Sequence, residues 1–368
     1  MPSSFEYIFP AIRGIQAKRE YFVSMCPLRL IPKIFIFDEE ELAPEIRAQR
    51  RLNRTRLPEM ANYIIDNPDD YTFSAITASI DGDVAFESFG TSENGKSDKQ
   101  IGKLSVSMSA RFIINDGQHR RAAIEMAIQE HPEIGDESIA VVFFVDRGLD
   151  RCQQMFADLN RYAIRPSKSI GVLYDHRDQM AKLAKLIALK TPLFRDVVDM
   201  EKSTLSLRSR KLFTLSAIYT ATCAMFSPND ESSLDLKSQV AVPFWYEVAQ
   251  SFPEWHQVLE RKIPASEIRT RYIHSHGIAL QAIGKVGHIL LREKPREWKK
   301  KLSKLRKIDW SRSNTRLWEG RAMIGGRISK SEASVTLTVN VIKKEMGLAL
   351  SVEEQKREYA FLQGEHGR

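Results

Sequence analysis

Short apolar runs alternate with polar, turn-rich stretches over the first part of the chain. The opening YIFPAIRGIQ and the later CPLRLIPKIFIF are rich in Ile, Leu and Phe, so they predict a pair of strands within residues 1–36. A helical pattern follows, interrupted by two prolines and ended by Asn67-Pro68. Two further β-rich runs flank Asp81-Gly82, a dipeptide that favours a hairpin.

The next segments alternate between strand and helix patterns. KLSVSMSARFIIND predicts a strand, RRAAIEMAIQE a helix, ESIAVVFFVD a strongly apolar strand, and RGLDRCQQMFADLNRY a helix. Together these elements predict an α/β domain of the α+β type, with a mixed sheet, over residues 1–165.

From Pro166 onward the pattern changes to helical periodicity. Apolar residues recur at helical spacing in successive segments as far as residue 308, while a short Val-Thr-rich run at 334–339 fits either a helix or an extended segment. Ser351, with Glu354 three residues later, predicts the capped start of a terminal helix. Residues 166–368 are therefore expected to form a mainly α-helical domain.

Composition restricts the class of protein. The chain has 368 residues, of which 43% are hydrophobic, which is ordinary globular composition and excludes collagen-like or wholly disordered chains. The sequence has no apolar run long enough to span a bilayer and no signal-peptide pattern, so we expect a cytoplasmic protein without a membrane partner. Three widely separated cysteines argue against a disulfide framework or a cysteine zinc site, and we predict no metal site at the histidines around His274 and His276.

The charge balance points to a polyanionic partner. Lys and Arg number 55 against 47 Asp and Glu, a net charge of +8. Part of the excess is concentrated in IRAQRRLNRTR, where five arginines fall within ten residues; these are Arg47, Arg50, Arg51, Arg54 and Arg56. On a helix, four of them share one face. We interpret this first basic cluster as a DNA-phosphate contact, the alternative being a solvated surface.

A second basic cluster lies in REWKKKLSKLRKI. Its candidate DNA contacts are Lys299, Lys300, Lys304 and Lys307, arranged around an apolar stripe of Trp298, Leu302 and Leu305. This pattern predicts an amphipathic helix with its basic face outward, which gives salt-dependent binding to duplex DNA. A third, shorter basic group is SLRSRK at residues 206–211.

The most specific motif is RFIINDGQHRRAAIEMA at residues 111–127. An apolar strand delivers Asn115 and Asp116 to its end, Gly117 permits a tight turn, and a helix begins directly afterwards. Unpaired N–H groups at a helix start favour an anion. We therefore predict a phosphate or nucleotide site made by Asn115, Asp116, Gly117, Gln118, His119, Arg120 and Arg121.

Individual roles follow from the chemistry of these side chains. Arg120 suits bidentate contact with a phosphate, and His119 could donate to that phosphate or act as a general base. Asp116 could cap the helix or approach a metal ion. The alternative interpretation is structural: Asp116 caps, Gly117 turns and His119 packs.

The five letters DGQHR resemble the signature of DGQHR-domain proteins, a branch of the ParB/sulfiredoxin-like superfamily. In those relatives a strand runs into a G-x-x-R turn that binds the phosphates of CTP in ParB and of ATP in sulfiredoxin. Gly117 and Arg120 occupy these positions here. CPLRLIPKI also resembles the opening ParB strand. The resemblance implies a ParB/sulfiredoxin-like fold for residues 1–165 and ATP or another nucleotide with Mg²⁺ as candidate cofactor. Gln118 stands where sulfiredoxin carries its catalytic cysteine, which excludes sulfiredoxin chemistry.

Within that branch the chain is similar to the DndB family. The length, the IFPAIRGIQ start and the SVEEQKREYAF end carry this similarity. It implies a DNA-binding transcriptional repressor of DNA phosphorothioate modification genes, which belong to phage defence. Implied partners are operator or promoter duplex DNA, proteins of the phosphorothioation complex, and a second copy of the chain.

Two other function classes stay open. One is a nucleotide-hydrolysing or DNA-nicking enzyme in which Asp116 or His119 performs the chemistry and Mg²⁺ bridges phosphates. The other is a non-catalytic assembly factor. Carboxylates near the motif are few, with Asp146 and Asp158 as distant candidates, which favours the repressor.

Cys26 is a redox candidate. It lies beside Pro27 and close in sequence to Arg29, and a partly exposed thiol near a cation can sense oxidants. The alternative is a small buried hydrophobic side chain.

Overall fold

The computed structural model describes residues 5–35, 54–89, 100–146, 154–155, 157–159 and 166–364. Arg47, Arg50 and Arg51 of the first basic cluster lie outside these residues. The chain divides into two compact units, Met1–Ile164 and Arg165–Arg368, which are described separately.

A seven-stranded sheet forms the first unit. Its strands are β1 (Glu6–Gln16), β2 (Arg19–Pro27), β3 (Ile76–Asp81), β4 (Val84–Ser88), β5 (Ile101–Ser107), β6 (Arg111–Asp116) and β7 (Ser138–Val145). Their order is β4-β5-β1-β2-β7-β3-β6, and the sheet is mixed because β3 and β7 run parallel while the other pairs are antiparallel. The predicted class, a mixed α/β region followed by a mostly helical one, is confirmed.

The first hairpin joins β1 to β2 and differs from the prediction in its second strand. Ala17 and Lys18 form the two-residue loop, and both have positive φ, as a type I′ turn requires. The second strand is REYFVSMCP, so Cys26 and Pro27 of the predicted CPLRLIPKIFIF strand lie in it, but assigning residues 28–35 to a strand was wrong. Residues 28–30 form a 3₁₀ turn and Ile31–Ile34 a short helix, α1, with proline in its first turn, where no N–H is needed.

Asp81-Gly82 does not make the predicted hairpin. β3 pairs with β6 and β7, whereas β4 pairs with β5 at the other end of the sheet. Since only Gly82 and Asp83 separate β3 from β4, the sheet must curve until its two ends meet. A Cβ on Gly82 would lie 2.4 Å from the Cβ of Ala110 in the corner between β5 and β6, so the bend requires glycine.

Two longer helices complete the core of this unit. They are α2 (Leu57–Ile65) and α3 (Gln118–Glu130), and their buried Ile64 and Ile124 belong to the same apolar cluster as Phe9 and Phe143 of the sheet. Burying each such side chain contributes about 1.5–3 kcal/mol.

The second unit is mainly helical. Its helices are α4 (Lys168–Tyr174), α5 (Gln179–Lys190), α6 (Pro192–Val197), α7 (Leu215–Cys223), α8 (Leu234–Gln250), α9 (Pro253–Leu259), α10 (Ala265–Arg271), α11 (Gly277–Glu293), α12 (Trp298–Leu302), α13 (Thr315–Trp318), α14 (Glu332–Met346) and α15 (Val352–Leu362). Two-residue strand pairs join Val198–Asp199 to Phe213–Thr214 and Met323–Ile324 to Arg327–Ile328.

Aromatic side chains fill the centre of this unit. Four buried rings lie there, and the ring of Phe194 contacts those of Phe213, Trp245 and Trp255. The ambiguous run at 334–339 is helical, within α14, and the predicted capping box of Ser351 is present. None of the helices in the described residues is long and apolar enough to cross a bilayer.

Candidate functional site

The DGQHR motif forms a strand–turn–helix corner. β6 ends at Asp116, Gly117 turns with φ +114°, and α3 begins at Gln118. A Cβ at Gly117 would meet Ile76 at 3.1 Å in a backbone conformation that favours glycine. The glycine therefore permits the strand to end directly at the start of a 13-residue helix.

Arg120 closes this corner. Its Nη2 donates to Oδ2 of Asp116 at 2.6 Å and to the carbonyl of Ala75 at 3.2 Å. The Asp116 side chain is 48% exposed and that of Arg120 is 18% exposed. A phosphate approaching Arg120 would therefore compete with, and be repelled by, the Asp116 carboxylate.

Arg121 makes structural contacts. Its Nε donates to the carbonyl of Phe35 at 3.0 Å and its Nη2 to that of Pro32 at 3.3 Å, while Nη1 pairs with Glu125. These bonds attach the start of α3 to the end of α1. The predicted phosphate role of Arg121 would require these contacts to be exchanged.

Asn115 and Gln118 lie in the interior. Asn115 is fully buried and donates to Oγ of Ser79 at 2.7 Å and to Sδ of Met155 at 3.1 Å. Gln118 is 8% exposed, and its Nε2 has no hydrogen-bond partner among the described residues. The Asn115 amide therefore connects the end of β6 to β3.

His119 is where two separate motifs meet. Burial lowers the pKa of its imidazole, and so do the charges of Arg56 and Arg120, while Asp116 opposes them. Arg56 is the last arginine of the first basic cluster, so this one member of the cluster lies near the motif. The charges of Arg56 and Arg120 thus both act on His119, and cations beside a helix start suit an anion. Sequence spacing alone gave no sign of this convergence.

The described part of the first basic cluster is short. Arg54 and Arg56 are exposed and lie in the 3₁₀ turn Arg54–Arg56 directly before α2. Of the two, Arg56 acts on the charge of His119 at the start of α3.

The second basic cluster has the predicted amphipathic form. Leu302 and Leu305 are buried, and Trp298 packs against Phe244. The segment is a five-residue helix, α12, followed by the 3₁₀ turn Ser303–Lys307, instead of one continuous helix.

The lysines of this cluster differ in their surroundings. Lys299 pairs with Glu247 at 2.9 Å, whereas Lys300, Lys304 and Lys307 form no ion pair within the described part of the chain. The charges of these three are therefore not offset by a carboxylate of the described residues.

The acidic and histidine candidates do not form a metal-binding group. Over the residues that the structure describes, no three His, Cys, Asp or Glu side chains are arranged to hold a metal ion. Asp146 is buried, which raises the pKa of its carboxyl despite the charge of Arg19, and Asp158 accepts from Gln154 at 2.8 Å.

The histidines of the second unit are used in packing. His274 accepts a hydrogen bond from the Trp255 indole at 2.9 Å, and burial lowers its pKa to about 3. His276 bonds the carbonyl of Arg269 at 2.8 Å, and burial lowers its pKa to about 4. Both rings are therefore neutral at pH 7.

Cys26 is fully buried on β2. Burial raises the pKa of its thiol to about 11, although a hydrogen bond with Ser24 opposes this. A thiol in this setting is a poor nucleophile, which favours the packing interpretation over redox sensing.

Comparison with known proteins identifies one family. Residues 9–349 match the family model described as DndB, DNA-sulfur modification-associated. No curated protein and no solved structure matches the chain.

Proposed function

Because the chain belongs to the DndB family of DNA-sulfur modification-associated proteins, we propose that it is a DNA-binding repressor of the phosphorothioate modification genes. The observation that carries this proposal is the corner where α3 begins directly after β6, with the Arg120 guanidinium held there by Asp116 and with Arg56 exposed directly before α2. Phosphate contacts from such a surface position a protein on duplex DNA. The net charge of +8 supports the same partner.

In this proposal the anion at the corner is a DNA phosphate. Arg56 supplies an exposed guanidinium, and Arg120 supplies one that Asp116 already orients. ATP or another nucleotide with Mg²⁺ is the other phosphate ligand that the same corner could take. Binding of the nucleotide would then either compete with DNA or regulate DNA binding.

The enzymatic alternative draws less support from the side chains. Asp116, its candidate carboxylate, is paired with Arg120, and the described residues contain no metal-binding group. His119 has a lowered pKa and could accept a proton, but general-base chemistry needs an oriented substrate as well. We therefore propose repression ahead of hydrolysis or nicking.

The test is binding and repression by the full chain. Fluorescence anisotropy would compare promoter duplex from the modification genes with a random duplex of equal length. A reporter driven by that promoter would measure repression in the cytoplasm, where we place the protein. Wild-type protein should prefer the promoter and lower reporter output.

A matched pair of variants locates the contact. Arg56→Gln should weaken binding to both duplexes, whereas Arg316→Gln removes the same charge from an exposed position in α13 and should change neither. Wild-type protein that binds neither duplex at about 50 mM salt would contradict the proposal, because non-specific contacts are strong there. Binding of modification-complex proteins, or of a second copy, would then be the activity to measure.

A further inference from the structure

A groove in the helical unit is lined by basic side chains that the proposed function does not use. It has a volume of about 740 Å³ and lies between the loop at residues 206–211 and the segment that joins α9 to α10. Four basic residues line it, namely Arg208, Arg210, Lys211 and Arg261, against the single carboxylate of Asp196. Its electrostatic potential is therefore positive.

A buried arginine holds the basic loop in shape. Arg269 is 9% exposed, and its Nη2 donates to the carbonyls of Ser206 at 2.7 Å and Ser209 at 3.3 Å, while Nη1 donates to that of Lys211. Arg208 and Arg210 are exposed on this fixed loop and have no ion pair among the residues described. The backbone that carries these two guanidinium groups therefore need not be ordered when a ligand binds.

The opposite wall carries an arginine at a position that favours glycine. α9 ends in a Schellman motif, in which Lys262 N–H bonds the carbonyl of Gln257 at 2.8 Å and Arg261 N–H bonds that of Val258 at 3.0 Å. Arg261 occupies the left-handed position of this motif with φ +59°. Left-handed backbone is unfavourable for a residue with a Cβ, so this arginine is present at a cost in stability.

The chemistry of the lining selects the ligand. Arginine forks match the oxygens of a phosphodiester, and the groove is too large for one phosphate ion. The residues that line it include no aromatic ring on which a base could stack, while Leu207, 75% exposed, offers apolar surface to a sugar. These features fit a nucleic acid that is bound through its sugar–phosphate backbone and whose bases are not recognised.

We propose that this groove is a second, sequence-independent binding site for the backbone of duplex DNA. The proposal rests on the proposed function and adds a contact in the helical unit. Each phosphate contact contributes about 0.9 to the salt slope of binding to B-DNA. Arg208, Arg210 and Arg261 together should therefore contribute about 2.7 to the slope for both promoter and random duplex.

The experiment measures the salt dependence of DNA binding by the full chain. Arg208→Gln with Arg210→Gln should lower the slope by about 1.8, and Arg261→Gly by about 0.9. Arg261→Gly should also raise the midpoint of thermal unfolding, because glycine relieves the left-handed strain. Weaker binding by a more stable protein cannot be explained by misfolding.

The matched control is Lys262→Gln. It removes the same charge one residue away, but Lys262 pairs with Glu260 at 2.7 Å and does not line the groove. An unchanged slope in this control, with reduced slopes in the groove variants, supports the site. Equal reductions in Lys262→Gln and Arg261→Gly would overturn it, since net charge alone would then be responsible.

Failure of this inference is distinguishable from failure of the proposed function. Wild-type slopes in both groove variants, with wild-type binding intact, would overturn only the groove. Wild-type protein that binds no duplex would overturn both.

Discussion

The guanidinium of Arg120 reaches back across the turn at Gly117 and donates to the carboxylate of Asp116, with 2.6 Å between Nη2 and Oδ2. The pair joins the end of β6 to the first turn of α3. It orients Arg120 and at the same time offsets part of its charge. A phosphate that binds Arg120 must therefore compete with the Asp116 carboxylate.

The first prediction concerns Asp116→Asn. Removing this half-exposed carboxylate leaves Arg120 free to meet phosphate, so affinity for duplex DNA should rise by up to about fivefold, the effect of roughly 1 kcal/mol for such a charge. Anisotropy titration at low salt would measure the change. A metal-dependent enzyme would instead lose its activity with this carboxylate, so a fall in binding together with loss of nucleotide hydrolysis would favour the enzymatic alternative.

The second prediction concerns the first basic cluster. Replacing Arg54 and Arg56 by Gln should lower the salt slope by about 1.8 if both contact phosphate. Promoter and random duplexes should weaken alike, since phosphate contacts carry no sequence information. Replacing Lys300 and Lys307 by Gln and measuring the salt slope tests the second cluster in the same way. A loss restricted to the promoter would show that these residues read bases.

The third prediction concerns a buried ion network at the C-terminal helix. Arg321 donates to both oxygens of Glu358 at 2.8 Å, and Asn340 and Lys344 also bond this carboxylate. Burial alone would raise the pKa of Glu358, but these hydrogen bonds lower it to about 2. The stabilisation is therefore complete above the unfolded value near 4.5 and is lost as pH falls from there toward 2.

Glu358→Gln tests the network. It should lower the free energy of unfolding at pH 7 by about 3 kcal/mol, because Arg321 stays buried without its charge partner. Tryptophan fluorescence would follow this selectively, since all five tryptophans lie in the second unit. Glu353→Gln is the matched control on the same helix, because Glu353 is exposed in its pair with Arg357. Equal stability losses in the two variants would contradict the prediction.

The fourth prediction concerns Cys26. With a pKa of about 11, only about one thiol in a thousand is ionised at pH 8. Native protein should therefore react with a thiol reagent at Cys26 far more slowly than after unfolding, as peptide mapping would show. Mild oxidant should leave DNA affinity unchanged in wild type and in Cys26→Ser alike. An oxidant effect present only in wild type would restore the redox interpretation.

Local patterns predicted much of the fold and little of its long-range pairing. The helix after Gly117 and the capping box of Ser351 depend on neighbouring residues, and both are present. The hairpin at Asp81-Gly82 failed because its strands find partners elsewhere, which turn chemistry cannot reveal.

In the candidate site, too, local features could be predicted from the sequence and long-range contacts could not. Sequence spacing placed Arg120 and His119 at a helix start, but it could not show Arg56 beside them or Arg121 bonded to Phe35. The pairing of Arg321 with Glu358 was also missed, since charges far apart in the chain carry no periodic signal.

The curved sheet has a consequence for folding of the chain during its synthesis on the ribosome. Glu6 lies opposite Ser107, and Cys26 lies opposite Ile139, so both edges of the first hairpin wait for strands about a hundred residues downstream. At a translation rate of about 5–20 residues per second, that wait lasts on the order of ten seconds. Two apolar strand edges are exposed during this time, and exposed strand edges promote aggregation. We therefore expect the nascent chain to depend on chaperones until the strands β5 and β7 have been synthesised.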